Sequence, residues 1–347
     1  MTPLAEVLND EGARSTATPE ISVIIPNYRK PDFVRGCLDS LAPALDDFEH
    51  GAEVIVVDDG SADGAVADLA REYPWVRFVA LARNGGYAGA VNAGIAASRG
   101  NWLLTLNNDT TVDRHILTNL YRATQERKDV GHLAAQQRFS HDPSRLASAG
   151  LVLDRVGVNA ERLFGQPVEA SEREPTEVFG ACGAAAVYRR EMFEQLGGLD
   201  ESFVFGLEDA DIAWRAQMHG WRCLYVPDAV VFHDYGGTVP HGSHYRFLQA
   251  GRNRVRLVVK NADWKVLLRY GPQMVLYDLG YMAYAVVMHR TLAPVLGRLE
   301  TLRRFREVRR SGAAGRAPIT LAPVQGIRAA LRRRSAWLHK DPPAGQA

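Results

Sequence analysis

Five short stretches hold the side chains with which this 347-residue chain could do chemistry. In "VIVVDDGSADG", residues 54 to 64, an apolar run ends on Asp58 and Asp59. Paired carboxylates there can accept from a base N–H and a ribose hydroxyl, or act only as a turn cap. "RNGGYAGAVNAGI", residues 83 to 95, offers Asn84, Gly85, Gly86 and Asn92. Its glycines allow close backbone approach, and a helix opening after them presents free N–H groups to phosphate. In "LLTLNND", residues 103 to 109, leucines give way to Asn107, Asn108 and Asp109. Asp109 is a hard oxygen ligand for Mg²⁺ or Mn²⁺, ions that complete their shell with water and diphosphate oxygens, and the asparagines can orient sugar hydroxyls without adding charge.

The fourth stretch, "SFVFGLEDADIAWR", sets Glu208, Asp209 and Asp211 at the head of an amphipathic segment. A helix N-terminus stabilises each carboxylate by roughly 0.3 to 1 kcal/mol. Capping explains one or two of these acids; a third, in a partly apolar cleft, is suited to work as a general base. The fifth, "VVFHDYGG", places His233 at a strand end. A lone histidine is most often structural, yet a helix and a strand separate it from Asp209, which allows a return to the same rim.

These residues need a frame. Ile21–Pro26, Glu53–Val57, Val76–Leu81 and Trp102–Leu106 are nearly continuous apolar runs, as a sheet covered on both faces requires. Between the first two, Pro31 suits the first turn of a helix, with Phe33, Leu38 and Leu41 on its buried side. The alternation reads as βαβ, hence an α/β fold with a Rossmann-like, mostly parallel central sheet. Ligands of such sheets bind beyond the carboxyl ends of strands, where Asn27, Asp58, Asp59 and Asp109 fall. Further on, the pattern predicts a strand over Val178–Tyr188, a helix over Glu208–His219 and a strand over Arg222–Val226.

Composition narrows the class. A net charge of +1 argues against a nucleic-acid partner. Three cysteines without a C-x-x-C suggest neither a disulfide framework nor a zinc cage, and fit a reducing compartment. Residues 1–20 carry acids and a Ser/Thr/Pro stretch but no apolar core; the expectation is a loose tail, no secretory signal and a cytoplasmic protein. The glycine-rich stretch is neither G-x-G-x-x-G nor a Walker A sequence.

After about Tyr235 the character changes. Met274–Met288 is apolar and aromatic, but Asp278 interrupts it, which is too short and broken for a membrane span. Arg298–Lys340 holds twelve Lys or Arg against two Glu. The pair of segments suits an anionic membrane surface, each basic residue there being worth roughly 1 kcal/mol. A helical appendage packed on the domain with solvated arginines fits equally well.

With these stretches in order, the chain from about Ile21 to Asp234 resembles the family 2 glycosyltransferases, in particular their non-processive, rhamnosyltransferase-like bacterial branch. The resemblance rests on "SVIIPNY", "VIVVDDGS", "RNGGYAGAVNAGI", "LLTLNND", "GGLDESF", "EDADIAWR" and "FHDYGG". It implies a GT-A fold over residues 21–240, with a nucleotide-binding half to residue 110, an acceptor-binding half after it and a helical region over 241–347. It also implies an inverting transfer of one sugar from a nucleotide-diphosphate sugar, dTDP- or UDP-linked, to a glycan or lipid-linked glycan. Carried over, Pro26, Asp59 and Asp58 line the base pocket, and Asp109 matches the metal-binding carboxylate with His233 as a further contact to Mn²⁺ or Mg²⁺. Asp209 matches the catalytic base, and Glu208 and Asp211 its acceptor-side or supporting neighbours. Asn107 departs from the pattern, standing where many relatives carry a first Asp. Processive synthases are disfavoured, since Q-x-x-R-W is absent. A sugar nucleotidyltransferase and an inactive membrane-bound scaffold remain as alternatives. The reading requires Asp109 and Asp209 to face one cleft.

Overall fold

In this computed structural model residues 4–7, 18–234, 243–312, 317, 319 and 321–324 are described. The N-terminal half alternates strand and helix: β1 (Leu4–Val7), β2 (Ile21–Asn27), α1 (Pro31–Asp46), β3 (Ala52–Asp58), α2 (Ala65–Glu72), β4 (Arg77–Leu81), α3 (Gly86–Ala96) and β5 (Trp102–Leu106). Strands β4, β3, β2 and β5 lie side by side and parallel. Their period-two pattern divides the core: Ile21, Val23 and Ile25 pack with Val34, Leu38 and Leu41 of α1, while Ile24 and Ile55 pack with Val91 and Ile95 of α3. The chain winds outward from β2 to β4 and then returns past β2 to β5, so the direction of winding reverses between β2 and β5. That reversal opens a crevice at the strands' carboxyl ends.

The sheet then becomes mixed. After β6 (Thr110–Val112) and α4 (Ile116–Thr124) come β7 (Val130–Phe139), the short strands β8 (Leu146–Ser148), β9 (Leu151–Leu153), β10 (Asn159–Glu161) and β11 (Thr176–Val178), and then β12 (Ala185–Arg189). Strand β12 runs antiparallel between β5 and β7. Helices α5 (Arg190–Gln195) and α6 (Glu208–Met218) lead to β13 (Arg222–His233), which pairs in parallel with β7 and antiparallel with β6 and β11.

Four features depart from the sequence-based expectations. The predicted strand Val178–Tyr188 is two strands, β11 and β12, because the glycines of "FGACG" break it. A Cβ on Gly180 would stand 2.4 Å from the Cβ of Ala213, so α6 packs directly on that backbone. Within the expected tail, Leu4–Val7 instead adds an antiparallel edge strand to β4, and the remainder, 1–3 and 8–17, lies outside the described residues. Phe33 is only partly buried and Val34 takes its place in the core. The strand expected over Arg222–Val226 continues to His233.

Beyond residue 242, α7 (His244–Asn261), α8 (Trp264–His289), α9 (Ala293–Arg303) and α10 (Phe305–Arg310) follow. Leu257 of α7 shares an apolar cluster with Phe203, Ala213 and Trp214, so this helix is built onto the α/β core. Helix α8 runs through Gly271 and Pro272 for 26 residues and buries little besides Met274 and Ala285. Among the described residues no helix is long and apolar enough to cross a membrane. Every Lys and Arg after Arg310 lies outside the described residues.

Candidate active site

The crevice between β2 and β5 is closed at its base by an amide pair, Asn108 Nδ2 donating to Asn27 Oδ1 at 2.8 Å. Pro26 precedes Asn27 at the end of β2, and the Asn27 carbonyl accepts from the backbone N–H of Asp59. The two adjacent acids have different work. Asp58 caps its own turn, accepting from Ser61 Oγ at 2.5 Å and from Ser61 N–H at 3.0 Å. Asp59 turns to the glycine-rich loop and accepts from Gly85 N–H at 2.6 Å. Burial pushes the Asp59 carboxyl up to about 6, against the lowering effect of the Gly85 and Gly86 amides.

Asn84 folds its side chain over the same loop, Oδ1 accepting from Gly86 N–H at 3.1 Å. Gly86 has φ +72°, and a Cβ there would meet the Val204 carbonyl at 2.9 Å. Glycine is therefore required where this loop abuts the segment that leads into α6. Asn92 is otherwise engaged: its amide donates to Leu199 carbonyl and Glu201 and accepts from Leu199 N–H. It positions the "GGLDES" loop against α3.

Asp109 and His233 meet because β6 pairs with the end of β13, Thr110 opposite His233. The Asp234 N–H donates to the Asp109 carbonyl at 2.9 Å, and Asp109 Oδ1 stands 3.4 Å from His233 Nε2. That oxygen is buried and accepts no hydrogen bond. A carboxylate oxygen without a donor, beside an imidazole nitrogen, is a donor set that fits a divalent cation. Among the described residues no three His, Cys, Asp or Glu side chains group to enclose an ion. The residues present therefore fit a site that leaves most coordination positions to substrate and water. Asp109 lines a cavity of about 440 Å³ with Phe33, Asn108, His141 and Asp234. Asn107 is partly exposed beside it, its backbone N–H bound to the Ala184 carbonyl.

The acids of α6 separate by face. Asp211 is fully buried and held by Arg215, Lys260 and Asn261 at 2.8, 2.9 and 2.8 Å. It fastens α6 to α7. Asp209 points the other way: Oδ2 accepts from Gly183 N–H at 3.1 Å, and the residue lines a second cavity, of about 380 Å³. Glu208 borders the same cavity, with its Oε2 buried and unbonded. Burial raises both carboxyls above the ordinary carboxylate range, and the Asp209 charge raises Glu208 further. Before them Val204, Gly206 and Leu207 all have positive φ, a strained turn that aims the head of α6.

Two residues at this site escape sequence reasoning. Gly183 presents its N–H to Asp209, and Tyr87 donates its hydroxyl to the Gly183 carbonyl at 2.6 Å, clamping that peptide from both sides. The one available signal was the pair of glycines interrupting a strand-like run. Asn107 N–H bonds the carbonyl of Ala184, the residue after Gly183, so both acids lie near the joint of β5 and β12. Among the described cavities, however, Asp109 and Asp209 line separate ones with no residue in common, and the single cleft expected of them is not seen.

A reversed winding point with an amide pair, a buried acid and a glycine loop at its mouth is the place where open α/β sheets receive ligands, and a second cavity is lined by Glu208 and Asp209. Comparison with known proteins assigns the protein further: the model of glycosyl transferase family 2 matches residues 22–197, half of the chain, and the chain belongs to that family. It is 32% identical to an N-acetylglucosaminyltransferase of Mesorhizobium japonicum, over 61% of this chain and 50% of that protein. It is 27% identical to the N-acetylglucosaminyl-diphospho-decaprenol L-rhamnosyltransferase of Mycobacterium tuberculosis, over 62% of this chain and 76% of that one. The chain thus spans about half the length of the rhizobial relatives it matches. In fold it is similar to a mannosyltransferase from Pyrobaculum calidifontis solved with GDP-Man and Mn2+, with a TM-score of 0.51, 21% identity and 87% of this chain and 86% of that one covered.

Proposed function

We propose that this protein transfers a single sugar, with inversion, from a nucleotide-diphosphate sugar to a hydroxyl of a glycan or lipid-linked glycan acceptor, in the synthesis of a cell-surface polysaccharide or glycoconjugate. The observation that carries the reading is the placement of a partly buried carboxylate, Asp209, oriented by Gly183, and of Asp109 beside His233 near the same joint of β5 and β12, in a member of glycosyl transferase family 2. Asn27, Asp59, Asn84 and Gly85 surround the place for the nucleotide, and Asn107 and Asn108 the adjoining sugar.

Asp109 and His233 would hold Mn²⁺ or Mg²⁺, which when bound supplies positive charge against the departing diphosphate. Asp209 takes the proton of the acceptor hydroxyl as its oxygen bonds to the anomeric carbon and the bond to the diphosphate oxygen breaks. Gly183 orients that carboxylate, and burial together with the Asp209 charge raises the Glu208 carboxyl beside it. The name of the mycobacterial relative, an L-rhamnosyltransferase, supports rhamnose as the transferred sugar, and the names of the rhizobial relatives support N-acetylglucosamine. A transfer assay across dTDP- and UDP-sugars with Mn²⁺ decides between them. Product formation that depends on Asp209 is expected, whereas neither transfer nor donor hydrolysis with any donor would favour an inactive scaffold.

A further inference from the structure

Helix α7 lies outside the sheet that carries the site, yet two of its consecutive side chains reach the turn that leads into α6. Asn253 is buried, and its amide nitrogen donates to the carbonyls of Phe203, Phe205 and Gly206 at 2.7, 2.9 and 2.8 Å. Arg252 donates through Nη2 to the Ser202 and Phe203 carbonyls, both at 2.9 Å, and through Nε to Asn253 Oδ1 at 3.1 Å. That last bond fixes which way the amide faces, its oxygen toward the arginine and its nitrogen toward the turn. Asn253 also borders the cavity beside Asp209, but two N–H groups shared among three carbonyls leave none for a ligand.

The turn needs this hold. At Val204 φ is +58° and ψ −53°, and the Phe205 N–H donates to the Phe203 carbonyl at 2.6 Å. This is a γ-turn with positive φ, the rare and strained form, on a β-branched residue. Gly206 and Leu207 follow at φ +79° and +71°, and Leu207, at the N-cap of α6, makes no side-chain hydrogen bond there. Such backbone persists where its surroundings over-determine it. Docking of α7 does not require these bonds, because Leu257 in the apolar cluster and Lys260 and Asn261 on Asp211 already join the helix to α6. The turn itself meets both halves of the site. The Val204 carbonyl lies against Gly86 of the glycine loop, and the residues after it deliver Asp209 to the Gly183 N–H.

We infer that Asn253 is a positioning residue for the transfer: by binding three carbonyls of the turn it holds the backbone that aims Asp209, and it acts on the reaction through that carboxylate. The inference rests on the reading of Asp209 as base. It makes α7 part of the catalytic unit.

The test is steady-state transfer by the full chain, with the donor that the assay across dTDP- and UDP-sugars selects, at a temperature where melting curves show each variant folded. Asn253→Ala should lower kcat about thirtyfold or more, as a misaimed catalytic group does. The donor KM should stay within about threefold, because the Asp59–Gly85 and Asn84–Gly86 bonds hold the glycine loop independently of α7. Arg309→Ala removes two bonds to the Val259 and Ala262 carbonyls at the far end of α7; it should melt lower and keep kcat within about twofold. In the Asp209→Asn background, Asn253→Ala should add less than about threefold, since the carboxylate it aims is gone. Where Asn253→Ala does not fold, Arg252→Met, which frees the Ser202 and Phe203 carbonyls alone, should show the same pattern with a loss of about fivefold or more.

An unchanged kcat, a fall matched by Arg309→Ala, or a loss that multiplies in full with that of Asp209→Asn overturns the proposal. The two readings separate. Transfer lost in Asp209→Asn but kept in Asn253→Ala leaves the base standing and removes this role, whereas transfer kept in Asp209→Asn removes the base itself.

Discussion

The carboxylate of Asp209 accepts a hydrogen bond from the backbone of Gly183, the residue before the one whose carbonyl binds Asn107. This relationship brings an acid from the head of α6 to the edge of the strand that delivers Asp109, although the two aspartates are far apart in the chain. It also fixes one Asp209 oxygen and leaves the carboxylate's orientation set before any acceptor arrives. Replacing Asp209 with Asn keeps the shape and removes the proton acceptor. Transfer should fall by about 10²- to 10⁴-fold, the usual contribution of a positioned base, while donor binding measured by titration stays within about twofold. A variant that transfers normally would take Asp209 out of the mechanism.

Tyr87 and Gly183 provide a milder perturbation of the same geometry. Tyr87→Phe deletes the hydroxyl that anchors the Gly183 carbonyl, an interaction worth about 1 kcal/mol net. The expected result is a roughly fivefold lower kcat with an unchanged donor KM. An altered donor KM at constant kcat would place Tyr87 with the nucleotide instead.

The Glu208–Asp209 pair makes the pH dependence specific. Both carboxyls are raised by burial, so the acid limb of the transfer rate should lie above the ordinary carboxylate range. Glu208 is raised by Asp209 and is not among the causes that raise Asp209, so Glu208→Gln should leave that limb in place. The stability effect has a definite sign. Below about pH 4 both states are protonated and the variant should melt with the wild type. As pH rises toward the folded-state values, the unfolded chain ionises first and the wild type loses stability. Glu208→Gln should therefore melt higher than wild type at pH 8, with the gap closing by pH 4. Parallel melting curves at all pH values would show that Glu208 is not held in a desolvated state.

Asp109 contributes the buried oxygen without a donor. The wild type should show a Mn²⁺-dependent rise in melting temperature with a nucleoside diphosphate, and Asp109→Asn or EDTA should abolish it. The melting temperature without metal should be unchanged or higher in the variant, because a buried charge beside His233 is gone. A metal response retained by Asp109→Asn would relocate the ion.

Asp211 acts through stability. Lys260 bridges Asp211 and Asp200 at 2.9 and 2.6 Å, and though burial opposes ionisation, Lys260 holds the Asp200 carboxyl down to about 2. Lys260→Ala leaves Asp211 buried with Arg215 and Asn261 only, and breaking such a pair costs about 3 to 5 kcal/mol. Chemical denaturation at pH 7 should show that loss. The Asp200 part of it is present above the unfolded carboxylate range and should fade as pH falls toward 2. A loss under 1 kcal/mol would mean that the network is not what joins α6 to α7.

Much of this arrangement was legible in the residues, for identifiable reasons. Strands β2 to β5 are buried on both faces, so their apolar runs are unbroken, and the polar residues that end them stand out: Asn27, Asp59, Asp109. Other features depend on backbone conformation. Whether Asp58 or Asp59 faces the ligand is decided by the turn through Ser61, and Asp209 and Asp211 part because residues two apart on a helix point in different directions. Gly183 was hidden inside a run that reads as one strand. The second cavity's lining comes from segments about 30 to 120 residues apart, and no local pattern announces that Asn159, Gln249 and Tyr281 converge.

The outer face of α8 leads to the last prediction. Leu268, Leu276 and Val287 are 71%, 72% and 73% exposed, with Trp264, Leu279 and Met288 near them and Leu292 and Leu296 continuing the apolar surface toward α9. Arg303, Arg304 and Arg306 are exposed just beyond. An apolar helix face bordered by solvated arginines suits the headgroup region of an anionic bilayer, where each buried leucine contributes about 1.5 to 3 kcal/mol. Because the opposite face of α8 supplies Tyr277 and Tyr281 to the Asp209 cavity, such a contact would hold that cavity close to the lipid surface, within reach of a lipid-linked acceptor. Vesicles of phosphatidylglycerol and phosphatidylcholine should sediment the wild-type chain at low salt. The double substitution Leu268→Asp and Leu276→Asp should reduce binding tenfold or more, while hydrolysis of a soluble donor is retained. Sedimentation indifferent to these two positions would assign the face to packing against protein rather than lipid.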